Sequence, residues 1–167
     1  MIRRELTNEE MDLARRITRE RQENKREYNV ASRKIDDNQS ENEVMLVGTM
    51  GEVAVANEFG FEVNREVSTS GDDGWDVRRG LITAEIKTRR GHEKDFAVYH
   101  ETGDIEADLA ILNWEQNGDI VIVGFVTRAE WLMLAEPIQF GRSARRGVRY
   151  QNFRSPDHLH RLLGYNK

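Results

Sequence analysis

Two apolar runs, Ala107 to Trp114 and Ile120 to Val126, meet across Asn117-Gly118, and that dipeptide between apolar stretches is the strongest short hairpin signal in the chain. It predicts two adjacent strands and commits the fold to a sheet. The other large apolar segment is helical. Ser40-Glu41-Asn42-Glu43 has the capping-box pattern, and the helix it opens runs through Val44, Met45, Leu46, Val47, Met50, Val53, Ala54, Val55 and Phe59 to a glycine stop at Gly60. That helix belongs to the core.

The remaining elements are shorter. Phe61 to Ser68 alternates like a strand, and the polar run through Gly71-Asp72-Asp73-Gly74 reads as a loop. Thr127-Arg128-Ala129-Glu130 caps a helix that must finish before Pro137, and Ser155-Pro156 begins a last helix that Gly164 stops. The first forty residues mix both charge signs. Thr7-Asn8-Glu9-Glu10 opens a helix there with only a thin stripe of Met11, Ala14 and Ile17, which predicts a charged helical arm over 1–39 and one domain over 40–167. The order predicts an α/β fold, one mixed central sheet flanked by helices.

At 167 residues the chain is long enough to bury roughly 70% of the surface its unfolded form exposes. With no cysteine, disulfides, thiolate zinc sites and cysteine nucleophiles are excluded. No signal-like apolar segment and no run near 18 apolar residues is present, so the expectation is a soluble cytoplasmic protein that does not engage a membrane. A net charge of −5 argues against coating nucleic acid through bulk positive charge and leaves room for a local basic patch.

The chemistry-bearing residues cluster between 52 and 87. A strand carrying Glu85-Ile86-Lys87 points carboxylate and ammonium to one face and Ile86 to the other. Trp75-Asp76-Val77-Arg78 reads as its partner strand with Arg79-Gly80 as the turn, which sets Arg78 opposite Leu81 and Asp76 opposite Thr83. Asp76 is then diagonal to Glu85 at roughly 7–8 Å, close enough for two carboxylates to share a cation. Glu52 is a carboxylate inside an otherwise apolar helix, costly there unless paired or metal-bound. Its small neighbours, Gly48, Thr49 and Ala56 among them, let that helix lie close to a sheet.

Glu52 on a helix, Gly74-Trp75-Asp76 at a strand and Ala84-Glu85-Ile86-Lys87-Thr88 on the next strand resemble the PD-(D/E)XK nuclease superfamily, in its compact phage and bacterial form. The resemblance spans roughly residues 43 to 126. It implies a single-domain restriction-endonuclease-like core of order αβββαβ. Two departures stand beside it: no proline precedes Asp76, and Gly91 to Thr102, where that family places its second core helix, has no helical apolar stripe. The resemblance further implies Mg²⁺ or Mn²⁺ held by Asp76, Glu85, the carbonyl of Ile86 and Glu52, directly or through water. Lys87 would orient the attacking water and stabilise charge on the phosphate, and the substrate would be DNA.

One charge anomaly lies outside that region. Arg142, Arg145, Arg146, Arg149 and Arg154 fall between Pro137 and Pro156 with no acid among them, interleaved with Phe140, Tyr150 and Phe153. This segment reads as a basic loop that follows a phosphate backbone, extended by Arg89 and Arg90. The histidines lack ligand spacing and read as surface residues, Gly48-Thr49-Met50-Gly51 reads as close helix packing, and the tryptophans read as core. An endonuclease is therefore expected, with a homodimer left open. The alternative is a nucleic-acid-binding or assembly protein that keeps the nuclease fold without turnover.

Overall fold

A computed structural model describes residues 1–27, 40–65, 74–91, 97–100, 104–140 and 143–164. Along them run β1 (Ile2–Arg4), α1 (Asn8–Glu27), α2 (Glu41–Phe59), β2 (Glu62–Val63), β3 (Val77–Arg79), β4 (Ile82–Arg90), β5 (Ala97–His100), β6 (Leu109–Gln116), β7 (Asp119–Thr127), α3 (Arg128–Leu134), β8 (Glu136–Phe140), β9 (Ser143–Arg149) and α4 (Pro156–Leu162). The fold is mixed α/β. Among the described residues no helix is long and apolar enough to cross a membrane.

The six-stranded main sheet has the order β1-β7-β6-β4-β3-β2. Its one parallel pair is β4 with β6; the other neighbours are antiparallel. The β6–β7 hairpin closes as expected, with Asn117 at φ 55° and Gly118 at φ 93°, positive values that asparagine and glycine tolerate best.

Alternation on these strands divides the core into two layers. On one face Ile86, Leu109, Ile111, Ile120 and Ile122 pack with Val53, Ala54 and Phe59 of α2, Ala14 and Ile17 of α1, and Leu159 of α4. On the other, Ala110, Leu112, Trp114, Val121 and Val123 pack with Trp131 of α3 and Val148 of β9. Gly124 lies where the chain at 153–154 crosses β7, and a Cβ there would run into the Arg154 carbonyl. Its absence lets Phe125 and Arg154 exchange backbone hydrogen bonds of 3.0 and 2.8 Å.

The helix ends follow their sequence signals. Thr7 and Glu10 bond reciprocally, Ser40 accepts from the Glu43 N–H, Thr127 and Glu130 form a complete capping box, and Gly60 ends α2 at φ 66°.

Several expectations are corrected. Of the segment expected as a charged helical arm over 1–39, residues 1–27 pack into the body, where β1 pairs with β7 and Ala14 and Ile17 are almost fully buried, and 28–39 lie outside the described residues. The stripe is thin because α1 also meets α2 through polar pairs, Thr18 with Thr49 and Arg21 with Glu52. The described part of the connection between β4 and β6, where a second core helix belongs in an αβββαβ core, holds no helix and one strand, β5. It joins a second, three-stranded sheet of order β5-β9-β8. The supposed arginine loop is mostly the β8–β9 ladder of that sheet. Of the strand expected from Phe61 to Ser68, Glu62–Val63 is formed, and 66–73 lie outside the described residues.

His160, expected at the surface, is 7% exposed. Its Nε2 lies 2.9 Å from Glu58 Oε1, while Arg4 donates to Glu58 Oε2 at 3.1 Å and to Glu10 at 2.9 Å.

Candidate functional site

The β3–β4 hairpin turns one residue later than the sequence suggests, at Gly80-Leu81, because Gly80 takes the positive φ of 61°. Arg79 therefore faces Ile82, Arg78 faces Thr83 and Val77 faces Ala84. Along the paired residues each partner has moved by two positions, which preserves their sides, and the register ends at Val77 and Ala84, one residue short of Asp76. The ladder is irregular at that point. The Asp76 N–H donates to the Ala84 carbonyl at 2.9 Å, so Asp76 and Val77 both stand against Ala84, the two-against-one count of a β-bulge.

Past Ala84 the ladder to β3 has run out. The carboxylate of Asp76 provides the acceptor there, taking the Ile86 N–H on Oδ2 at 2.6 Å. Because N–H and C=O of one strand residue point the same way, the Ile86 carbonyl also faces the side where Asp76 stands.

Glu85 and Lys87 share a face, as their spacing predicts, with Lys87 Nζ 2.6 Å from Glu85 Oε1. Glu85 is buried and the Lys87 side chain is 37% exposed, so the ammonium head reaches solvent from a buried anchor. Ile86 packs on the opposite face against α2. Burial raises the pKa of Asp76, the Glu52 carboxylate raises it further, Lys87 and the Ile86 N–H lower it, and Glu85 raises it; the result is about 8. Asp76 thus feels the carboxylates of both α2 and β4.

Glu52 is held differently from its expected role. Both its oxygens are gripped by Arg21 of α1, each at 2.8 Å. Arg21 also donates to the Asn64 carbonyl at 3.0 Å, and the Asn64 N–H donates to the Asp76 carbonyl at 2.8 Å. Sequence reasoning passed over Arg21 and Asn64. A signal existed: Arg21 continues the buried positions 14, 17 and 18 by one helical turn, and Glu52 is a misplaced charge of opposite sign in the neighbouring helix.

Just before Glu52, Gly51 presses on β4, where a Cβ would run into the Thr88 hydroxyl. Asn113, fully buried on β6, donates to the Gly51 carbonyl at 3.3 Å and approaches Thr88 Oγ1 at 3.4 Å. The residue before Glu52 and the residue after Lys87 are therefore packed together, which fulfils the close-packing reading of the glycine pair at Gly51.

Arg89 lies on the β9 side of the main sheet, and Arg90, one position on, falls on the other. Through the β4–β6 register, Glu85, Lys87 and Arg89 stand beside Ala110, Leu112 and Trp114, whose layer also contains Val148. Arg90 is 3.7 Å from Glu115. Arg146 bonds Asp104 at 2.5 Å and the Ala135 carbonyl at 3.1 Å, Arg149 bonds Glu136 at 2.6 Å, and Arg154 pairs with Glu130 at 2.5 Å. Arg145 and Arg149 project from the face of β9 opposite Val148. Arg142 lies outside the described residues. The acid-free stretch of sequence is thus supplied with acids from elsewhere in the fold.

Among the described residues no group of three or more Asp, Glu or His side chains stands close enough to hold a metal ion as arranged. The donor chemistry nevertheless fits a hard divalent cation. Asp76 resists ionising because burial and two carboxylates oppose a further negative charge, and a cation would relieve that field. No protein-family model matches the chain, and a comparison with curated proteins finds no match.

Proposed function

We propose that this chain is a Mg²⁺- or Mn²⁺-dependent endonuclease acting on DNA, with a core of the PD-(D/E)XK kind. The observation that carries the reading is the meeting of Asp76, Glu85 and Lys87 where β3 leaves β4: the Lys87 ammonium rests on Glu85, and Asp76 is held protonated to about pH 8 by burial and then by the neighbouring carboxylates. The element order agrees in part, since α2 is followed by the β2-β3-β4 meander and β6 lies parallel to β4, while among the described residues β5 stands between them in place of a helix.

Asp76, Glu85 and the Ile86 carbonyl would hold the cation, with Glu52 joining directly or through water. When bound, a divalent ion supplies Lewis acidity at the scissile phosphate. The chain's own groups do the rest. Glu85 fixes the Lys87 ammonium on the reacting face, where it orients a water and stabilises charge as it develops on phosphate oxygen. Asp76 gives up its proton to bulk solvent as it takes on a ligand's role. The paired arginines can still meet phosphates, because exposed ion pairs are worth only about 0–1 kcal/mol and exchange readily.

A non-catalytic binding protein is the second reading, and the Arg21 grip on Glu52 favours it, because that carboxylate is already compensated. Incubation with circular and linear, single- and double-stranded DNA in Mg²⁺, Mn²⁺ and Ca²⁺ separates the two. Cleaved circles that vanish in the Glu85→Ala variant support the endonuclease; binding with no cleavage in any metal supports the rival.

A further inference from the structure

Arg21 comes from α1, an element the proposed chemistry does not otherwise use. Its planar guanidinium matches both oxygens of Glu52, the two-bond geometry in which arginine binds carboxylate best. The pair is largely withdrawn from water, with side-chain exposures of 23% for Arg21 and 7% for Glu52. The same guanidinium reaches the Asn64 carbonyl, and Asn64 in turn bonds the backbone of Trp75 and Asp76. One cationic group therefore sits on the carboxylate of α2 and on the segment leading into Asp76.

Resting on the reading that Asp76 and Glu85 hold a divalent cation, we propose that Arg21 is the built-in counter-ion of the cation-free site. It occupies Glu52 until a divalent cation competes for that carboxylate, and so sets how tightly the cation binds.

Competition follows from the geometry. Both oxygens of Glu52 are committed to the guanidinium, so a cation drawing on Glu52 must take at least one from it. Glu52 also acts electrostatically on Asp76, so a dication placed between them lies close to Arg21, and like charges at short range repel. The bond to the Asn64 carbonyl gives Arg21 somewhere to remain docked after release. A protein whose binding-competent form is a fraction of the whole binds with its affinity reduced by that fraction, so a grip open in about one molecule in ten weakens the cation about tenfold.

Calorimetric titration of Mn²⁺ into the full chain, with thermal melts alongside, reads this without turnover. Arg21→Met should melt at a lower temperature than the parent in the absence of cation and bind Mn²⁺ about tenfold more tightly. Arg21→Lys, which keeps the charge and loses the fork, should fall between them and keeps the test decidable if Arg21→Met does not fold. Adding Glu52→Gln to Arg21→Met should cancel the gain. If the folded Arg21 variants bind Mn²⁺ no more tightly than the parent while Asp76→Asn abolishes binding, the cation site stands and Arg21 is only a brace. If neither the parent nor any Arg21 variant binds Mn²⁺, the counter-ion role and the metal reading fall together. Binding that appears only once Arg21 is changed supports competition in its strongest form.

Discussion

The carboxylate centre and the arginine strand reverse the impression their sequences create. Arginines 145 to 154 are dense along the chain, yet Arg146, Arg149 and Arg154 each meet an acid from elsewhere, Asp104, Glu136 and Glu130. The acids at 52, 76 and 85 are scattered along the chain, and the fold buries Asp76 within the field of the other two, so that it holds its proton to about pH 8. Charge density in sequence and charge density in space are different quantities. What separates the regions is burial: the arginine pairs are exposed and exchangeable, whereas Glu52 and Glu85 are buried and every neighbouring charge is felt.

Breaking the carboxylate centre should have the largest effect. On the endonuclease reading all three act on one reacting centre, so Asp76→Ala, Glu85→Ala and Lys87→Ala should each lower DNA cleavage by roughly a thousandfold or more, with losses that do not add. Glu52→Gln should cost less. Circular dichroism on the same samples checks that the fold persists; near-parental turnover in Glu85→Ala would end the assignment.

Metal exchange sharpens the comparison next. Mg²⁺ and Mn²⁺ should support cleavage, Ca²⁺ should bind with little reaction because its coordination is larger and looser, and each ion that binds should raise the melting temperature. Full cleavage in excess EDTA would reject the cation's role.

A smaller effect comes from pH. The unfolded chain releases the Asp76 proton near its ordinary 3.8 and the folded one near 8. Between those values unfolding releases a proton, so the contribution of Asp76 to stability is present below 3.8, declines as pH rises, and is gone above about 8. Melts from pH 4 to 9 should show that slope in the parent and lose it in Asp76→Asn. Cation affinity should rise over the same window, because the ligand must shed its proton first. An unchanged slope in Asp76→Asn would remove Asp76 as its source.

The arginine strand should yield the smallest change. Arg145→Ala with Arg146→Ala should weaken DNA binding across sequences and make the salt dependence shallower by about one to two units, one for each phosphate no longer neutralised. Mn²⁺ binding should persist. Retention of both affinity and slope would reduce the strand to a solvated surface.

What the sequence made legible was set by local rules. Caps at Ser40 and Thr127, the Asn117-Gly118 turn and the Glu85/Lys87 alternation depend on neighbours a few residues apart, and the structure has each of them. The misplaced β3–β4 turn kept the sides of Val77 to Arg79, because a shift by two positions preserves them, while the bulge at Asp76 could not be read from local spacing. The failures involve distant partners. α1 looked too thin to belong to the core because much of its contact with α2 is polar or small, Ala14 and a buried Thr18–Thr49 hydroxyl pair beside Ile17. The Arg21–Glu52 pair joins residues 31 apart, and strand β9 was hidden by its arginines and β8 by Pro137.

Glu58 has a topological consequence. One carboxylate takes Arg4 on one oxygen and His160 on the other, so a side chain of α2 ties together segments more than 150 positions apart in the sequence. During synthesis the chain emerges from one end only, and the helix carrying Glu58 is complete long before residue 160 leaves the ribosome. Until then the Phe59 ring, which contacts His160 at 4.6 Å, and the groove that receives Leu159 remain uncovered. Closure of this protein is therefore a late, long-range event, and a nascent chain halted before residue 160 would expose an apolar seam to chaperones and proteases.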